Sequence, residues 1–484
     1  MTDAHVWLSM FHDAQSPARG LRERVCATVR QAIRVGSLPL GARLPASRVL
    51  AQDLSVSRVT VEAAYTQLEA EGYLVRRTGQ GSFVAIDLAS GNGQQHQSST
   101  TNAGLTEQVA LSQRGQRTVG TGGCQEPMRL QAFAAGSPDL RAFPNALWRQ
   151  LTNQQLRQGS DALMRYGDPQ GLPALREAIA HYLAQSRAVR CSADQVLVLT
   201  SSQQALQLIA HMLIDAGDVV WMEDPGYRGA RAAFASAGAN IVAMPVDSEG
   251  MVCNFEQPTP RLIYLTPSHQ YPTGHTLSLA RRNALLDYAQ RVGAWIVEDD
   301  YDSEFIYDKR PTPSMQGLDR HDRVVYVGTF SKALFPSLRL AYTVLPHALV
   351  APLVTARTVY DGHVAQLPQA VTAEFMLRGH FSAHLRLMRQ LYRSRRDVLL
   401  DCLAEKLPWA QALNPAGGLQ LGVALPKGRE VQLTRQAAAL GIATPSLGAL
   451  YQTAGQVDGW LLGFAALQPE EIKAAVDALA HITP

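Results

Sequence analysis

The chain has 484 residues, too many for one ordinary domain, and its 46% hydrophobic and 18% charged residues are the mix of a globular protein. It holds no apolar run of the length a bilayer-spanning helix needs, which argues against an integral membrane role. Net charge is +3, but residues 17–86 hold ten arginines, no lysine, one aspartate and four glutamates, so this stretch carries +5 and the remainder −2. A small basic segment in a near-neutral chain points to a polyanionic partner. The first ten residues lack the basic-then-apolar pattern of a secretion signal. Cys26, Cys124, Cys191, Cys253 and Cys402 are scattered, without paired spacing. Both features predict a cytoplasmic protein with neither a disulfide framework nor a metal site.

In chain order, Leu21, Val25, Val29 and Ile33 form a helical apolar stripe. "GSLPLGARLP" interrupts it, and "PASRVLAQDL" predicts a second helix with Pro45 in its first turn. A turn at Ser55–Ser57 leads to a third helix carrying Val61, Ala64, Tyr65 and Leu68, with Ser57 as its cap. "YLVRRTGQGSFVAI" reads as two strands around a glycine turn. These elements delimit a first domain at 17–87. Of the 36 residues in 88–123, 22 are Gly, Gln, Ser or Thr and none is aromatic, which predicts a flexible linker over 88–128. From 129 to 484, the runs "QVLVLT", "DVVWM", "RLIYLT", "AWIVED" and "RVVYVGT" alternate with helix-like stretches. That alternation predicts an α/β domain with a mostly parallel sheet, whose ligands sit beyond the carboxyl ends of the strands.

Two short helices joined by a tight turn and followed by a glycine-tipped hairpin describe a winged helix-turn-helix. Such a module sends the N-terminal end of its second helix into the major groove of double-stranded DNA. Here that end reads Ser57-Arg58-Val59-Thr60, with Arg48 on the preceding helix and Arg76, Arg77 and Gly79 on the hairpin. The string "LPASRVLAQDLSVSRVTVEAAYTQLEAEGYLVRRTGQGSFVA" resembles the GntR-type DNA-binding domain almost throughout. The resemblance implies DNA contacts from Arg48, Ser57, Arg58, Thr60 and Gly79, with Arg77 on the wing. Glu62 departs from relatives that carry a basic residue there.

In the large domain one lysine, Lys332, lies in "VYVGTFSKALFPSLRLAY" among apolar and hydroxyl residues rather than other charges. Its companions end other strands: Ser201-Ser202-Gln203, Tyr227 in "WMEDPGYRG", and Asp299 and Tyr301 in "WIVEDDYDSEF". An aldehyde cofactor with a phosphate and a pyridine ring asks for this set. A lysine amine forms a Schiff base, a carboxylate keeps the ring nitrogen protonated, and a hydroxyl-rich helix N-terminus with an arginine holds the phosphate. Residues from about 130 to 483 resemble a fold-type I aminotransferase that uses pyridoxal 5'-phosphate. The whole chain resembles the MocR/GabR-type regulators, which join a GntR-type winged helix to that fold. By that resemblance Lys332 holds the cofactor as a Schiff base, Asp299 pairs with the pyridine nitrogen, Tyr301 with the phenolic oxygen, and Tyr227 stacks on the ring. Ser201, Ser202, Gln203, Thr329 and Arg339 would hold the phosphate.

Three positions depart from the enzymes. Ser201 stands where many relatives have glycine. Tyr271, in "YLTPSHQYPTG", stands where aminotransferases carry asparagine. Leu461, in "GWLLGFAAL", fills the slot of the arginine that binds a substrate carboxylate, and no arginine follows Arg435. Either another arginine substitutes, or the bound amine is not an ordinary α-amino acid. The expected function is a homodimeric, DNA-binding transcriptional regulator that senses a small amine or pyridoxal phosphate itself at Lys332. A working aminotransferase carrying a DNA-binding module is the alternative.

Overall fold

The computed structural model describes Trp7, Phe11 and residues 20–86, 111–124, 131–308, 312–452 and 457–482. The chain divides into two compact units, one up to residue 108 and one from residue 109 onward. Among the described residues no helix is long and apolar enough to cross a membrane.

Among its described residues the first unit has the helices α1 (Leu21–Arg34), α2 (Ser47–Asp53) and α3 (Arg58–Ala70), and a hairpin of β1 (Leu74–Arg77) and β2 (Gly81–Val84). Val25, Val29 and Ile33 are buried as their spacing predicts, whereas Leu21 at the head of the stripe stays half exposed. Pro45 lies just outside α2 rather than in its first turn, and its carbonyl accepts the Tyr65 hydroxyl at 2.9 Å. Ser57 caps α3, its Oγ accepting the Thr60 N–H at 3.1 Å. The α2–α3 turn passes through Ser55 at φ +53°, a left-handed conformation that a serine adopts at some cost. Arg30 joins Glu23 on α1 to Glu71 at the end of α3. The core reaches further back than the expected boundary at residue 17. Trp7 and Phe11 are buried in it, and the Arg24 guanidinium lies 4.1 Å from the Phe11 ring centre. Two aromatics without a periodic context gave no sequence signal for this.

The second unit is built on an eight-stranded sheet in the order β3-β10-β9-β8-β7-β4-β5-β6. Its strands are β3 (Val196–Leu199), β4 (Val219–Asp224), β5 (Asn240–Asp247), β6 (Gly250–Met251), β7 (Leu262–Leu265), β8 (Trp295–Asp300), β9 (Val324–Thr329) and β10 (Ala341–Val344). Strands β5, β4, β7, β8 and β9 pair in parallel; β10 runs antiparallel between β9 and β3, so β3 shares their direction. All five expected strands are present, and the buried β3, β7 and β9 show why they read as unbroken apolar runs. A smaller antiparallel sheet joins β11 (Gln411–Ala412), β12 (Gln420–Ala424) and β13 (Gly459–Gly463).

The linker expectation is corrected in its second half. Gln113–Gly120 is a helix capped by Ser112, whose Oγ accepts the Gly115 N–H at 3.1 Å. It packs on the helix Arg228–Ala237, where Arg117 Nε donates to the Ser236 carbonyl at 3.5 Å. Composition averaged over a long polar stretch hides one short capped helix that a neighbour stabilises. The remaining linker residues, 88–110 and 125–128, lie outside the described ones.

If Phe11 belongs to the first unit's core, Phe11→Ala should cost about 3 to 5 kcal/mol of that unit's stability. Denaturant unfolding of the full chain, read by proteolysis within residues 20–86, measures this.

Candidate cofactor site and nucleic-acid interface

The lysine sits where β9 gives way to a single helical turn, Phe330–Ala333, capped by Thr329, whose Oγ1 accepts the Ser331 N–H at 3.1 Å. Lys332 Nζ donates to the Gly136 carbonyl at 2.7 Å. A Cβ at Gly136 would lie 2.9 Å from that nitrogen, and its φ is +76°, so glycine is what leaves the amine room.

Neighbouring residues of a strand face opposite sides, and this separates Asp299 from Asp300 at the end of β8. Asp300 receives Arg187 Nε at 2.8 Å and the Tyr326 hydroxyl, a buried ion pair. Asp299 is 4% exposed; its Oδ2 accepts the Tyr264 hydroxyl at 2.8 Å, and its Oδ1 has no hydrogen-bond partner among the described residues. Burial pushes the Asp299 carboxyl up to about 7, against the opposing effect of the Tyr264 hydrogen bond.

Tyr271 meets Tyr227 and Tyr301 edge-on, at ring separations of 5.7 and 5.9 Å. The Tyr301 hydroxyl lies 3.1 Å from His269 Nδ1, which is 3.0 Å from both Asp302 oxygens. Burial draws the His269 pKa down, but the Asp302 carboxylate outweighs it and holds the ring above its ordinary value. The Tyr271 N–H donates to Thr266 Oγ1 at 2.9 Å, and Thr266 donates its N–H and hydroxyl to Glu223 at 3.0 and 2.6 Å. Burial pushes Glu223 up to about 7. His269, Asp302 and Glu223 were missed from sequence although they stand in the strings that carry Tyr271, Tyr301 and Tyr227. The available signal was ionisable residues clustered at the ends of apolar strands.

Ala341 on β10 stands opposite both Leu199 and Thr329, so the turn after β3 and the turn after β9 share one end of the sheet. Ser201 caps the helix Ser202–Leu213, its Oγ accepting the Gln204 N–H at 3.1 Å. The Ser202 and Gln203 amides, in the first turn, have no acceptor within the helix. The Gln203 side chain instead donates to the Gly229 carbonyl at 2.9 Å, beside Tyr227. Arg339 is exposed and held at φ +52°, an uncommon conformation for its residue type.

In the first unit Arg48 at the start of α2 and Ser57, Arg58 and Val59 at the start of α3 are exposed, Val59 by 78%. The Ser57 and Thr60 hydroxyls lie 2.8 Å apart. Arg77 and Gly79 are exposed on the hairpin, the Arg77 guanidinium 5.0 Å from the Phe83 ring centre and Gly79 at φ +74°. Arg76 is different: it lies 3.5 Å from Glu62 and 3.2 Å from Glu69, so its charge is spent on α3. Glu62, the departure from the basic residue of some relatives, thereby acquires an intramolecular partner.

Residues 21–84 match the family "Bacterial regulatory proteins, gntR family", and residues 133–479 match "Aminotransferase class I and II". The probable rhizopine catabolism regulatory protein MocR of Rhizobium meliloti is 37% identical over 478 residues, 98% of this chain and 95% of its own length. The chain belongs to the MocR-type family of GntR regulators fused to an aminotransferase fold. The pyridoxine biosynthesis regulator PdxR of Corynebacterium glutamicum, another chain of this kind, is 29% identical over 92% of both chains. The aminotransferase part alone is similar to 2-aminoadipate transaminase of Thermus thermophilus, 31% identical over 73% of this chain and 89% of that one. The solved structure of LysN from the same species, complexed with N-(5'-phosphopyridoxyl)-L-leucine, superposes with a TM-score of 0.70 at 29% identity, covering 75% of this MocR-type chain and 95% of its own.

Asp299 and Glu223 have folded-state values raised to about 7, so the folded protein keeps protons that the unfolded chain loses near pH 4. Their contribution is full below about pH 4 and is lost as pH rises to about 7. Without cofactor, Asp299→Asn should flatten this decline and raise the thermal midpoint at pH 8 above wild type. Thermal denaturation across pH 4–8 measures it.

Proposed function

We propose that the chain is a pyridoxal 5'-phosphate-dependent transcriptional regulator, in which the first unit binds double-stranded DNA and the second senses a small amine. The observation that carries the reading is one chain joining a GntR-type helix-turn-helix to an aminotransferase fold whose lysine amine is kept clear by Gly136. The residues fit the cofactor. Asp299 Oδ1, buried and unpartnered, suits a protonated ring nitrogen; Lys332 suits the aldehyde carbon; Tyr227 suits the ring face; and Tyr301, backed by His269, suits the phenolic oxygen. Ser201, Ser202, the Gln203 amide, Thr329 and Arg339 would hold the phosphate at the helix N-terminus. When bound, the cofactor supplies an aldehyde that condenses with primary amines and a ring that accepts electrons.

The protein's own groups then decide which amine enters. Leu461 is buried with Leu447 and Leu450 against Ala135, Tyr271 and Tyr451, and Ala135 adjoins the glycine that receives Lys332. An α-carboxylate placed against this wall would be desolvated beside leucines. We infer an amine effector without an α-carboxylate, or pyridoxal phosphate itself as the signal, as the PdxR relationship supports. A working aminotransferase is the second reading, favoured by the 31% identity to a transaminase.

Dimerisation is supported by an exposed apolar face. Met164 and Val359 are 78% exposed, Tyr166 is 97% and Tyr360 is 54%. Tyr166 meets His363 edge-on at 5.9 Å, and Tyr360 stacks on His211 at 5.5 Å. Patches of this kind mark protein interfaces, and a two-fold dimer would carry two recognition helices to paired half-sites in cytoplasmic DNA. At each half-site Arg48, Ser57, Arg58, Thr60, Arg77 and Gly79 would make the contacts.

Arg58→Ala should weaken specific DNA binding by about tenfold, in line with the 1–3 kcal/mol of a base contact, and leave the visible spectrum of bound cofactor unchanged. Lys332→Ala should abolish that spectrum's amine response and the effect of amines on DNA affinity while basal DNA binding persists. Gel-shift isotherms and absorption spectra of the three proteins test both; an amine response retained in Lys332→Ala contradicts the reading.

A further inference from the structure

The helix His347–Tyr360 ends close to the turn assigned above to the cofactor phosphate, and three side chains connect the two. Arg357 is 1% exposed, and neither Nη atom has a hydrogen-bond partner among the described residues. Its Nε lies 3.0 Å from Asp361 Oδ1, an ion pair without hydrogen-bond alignment. The other oxygen, Asp361 Oδ2, accepts Gln204 Nε2 at 2.6 Å. Gln204 Oε1 in turn accepts both the N–H and the hydroxyl of Thr200, at 2.8 and 2.9 Å, while the Gln204 backbone N–H caps on Ser201 Oγ.

We propose that Arg357, Asp361 and Gln204 form a strut that positions the phosphate-binding turn Thr200–Ser202. This rests on the phosphate assignment in the preceding reading. The buried guanidinium fixes the carboxylate, because a buried charge deprived of its partner is costly. The carboxylate fixes the amide nitrogen of Gln204, and its amide oxygen fixes Thr200 at two points. A phosphate held by backbone amides gains most from a turn already ordered before binding, since ordering on binding subtracts from affinity. Gln204 is therefore a positioning residue in the same first turn as the groups that would touch the ligand. The strut also starts beside Val359 and Tyr360, so a partner seated on that face would press on the same helix end.

The test compares binding of pyridoxal 5'-phosphate and pyridoxal, which share ring and aldehyde and differ by the phosphate, by visible absorption on apoprotein. Gln204→Glu keeps an acceptor for Thr200 but sets a carboxylate against Asp361. It should weaken pyridoxal 5'-phosphate about tenfold and leave pyridoxal within about twofold. Gln204→Glu combined with Asp361→Asn exchanges donor and acceptor, leaves only a neutral oxygen toward Arg357, and should restore part of the loss. Equal weakening of both compounds would mean general damage and overturn the strut. A double variant as weak as the single one would mean that the pairing of residues 204 and 361 does not order the turn, and also overturn it. Wild-type protein with no preference for the phosphorylated compound would instead overturn the phosphate assignment, and no binding of either would overturn the cofactor reading itself.

Discussion

A carboxylate buried without a cation is among the costlier features a fold can hold, and Asp299 is one. Its neighbour Asp300 shows the ordinary solution, an arginine at 2.8 Å. Strand alternation sends one carboxylate to that arginine and the other to the face where Tyr264 alone meets it among the described residues. The rest of the site is arranged around this imbalance. Parallel strands bring Glu223, Thr266 and Asp299 to one sheet end, β9 ends in the lysine's turn, and β10 holds the turns after β3 and β9 in register. A ligand that brings a positive ring nitrogen to Asp299 relieves the cost, and that relief is available only to the folded domain.

Much of this was legible in the sequence because its physical signals are local. Apolar β-branched runs gave the parallel strands, Ser57 gave a cap, and the glycine turn gave the wing. Lys332, Asp299, Tyr227 and Tyr301 could be named because they close those strands. What escaped depends on contacts distant in sequence. Arg357 and Gln204 are 153 positions apart and share Asp361. Gly136 reads as a loop glycine until Lys332 Nζ is found 2.7 Å from its carbonyl. The helix Gln113–Gly120 was hidden by its composition, and Trp7 and Phe11 by the absence of any repeat. Arg76 resembled a DNA contact until Glu62 and Glu69 claimed it.

Regulation in such a chain needs no chemistry beyond binding. An amine changes DNA affinity only as far as it binds two states of the protein unequally, and DNA then changes amine affinity by the same factor. Under the proposed reading, the apolar wall at Leu461 and the edge-on tyrosines at Tyr271 would shape which amine enters, and Lys332 and Asp299 would hold the cofactor that receives it.

The most direct test of this account is to follow the visible spectrum and DNA affinity of cofactor-loaded protein in one titration with matched amines, ethanolamine against serine and phenethylamine against phenylalanine. The account predicts that a carboxylate-free amine shifts spectrum and DNA affinity with the same midpoint, and that its α-carboxylate counterpart is weaker. A spectral shift with unchanged DNA affinity, or steady release of a carbonyl product with an added keto acid, would contradict it and leave an enzyme.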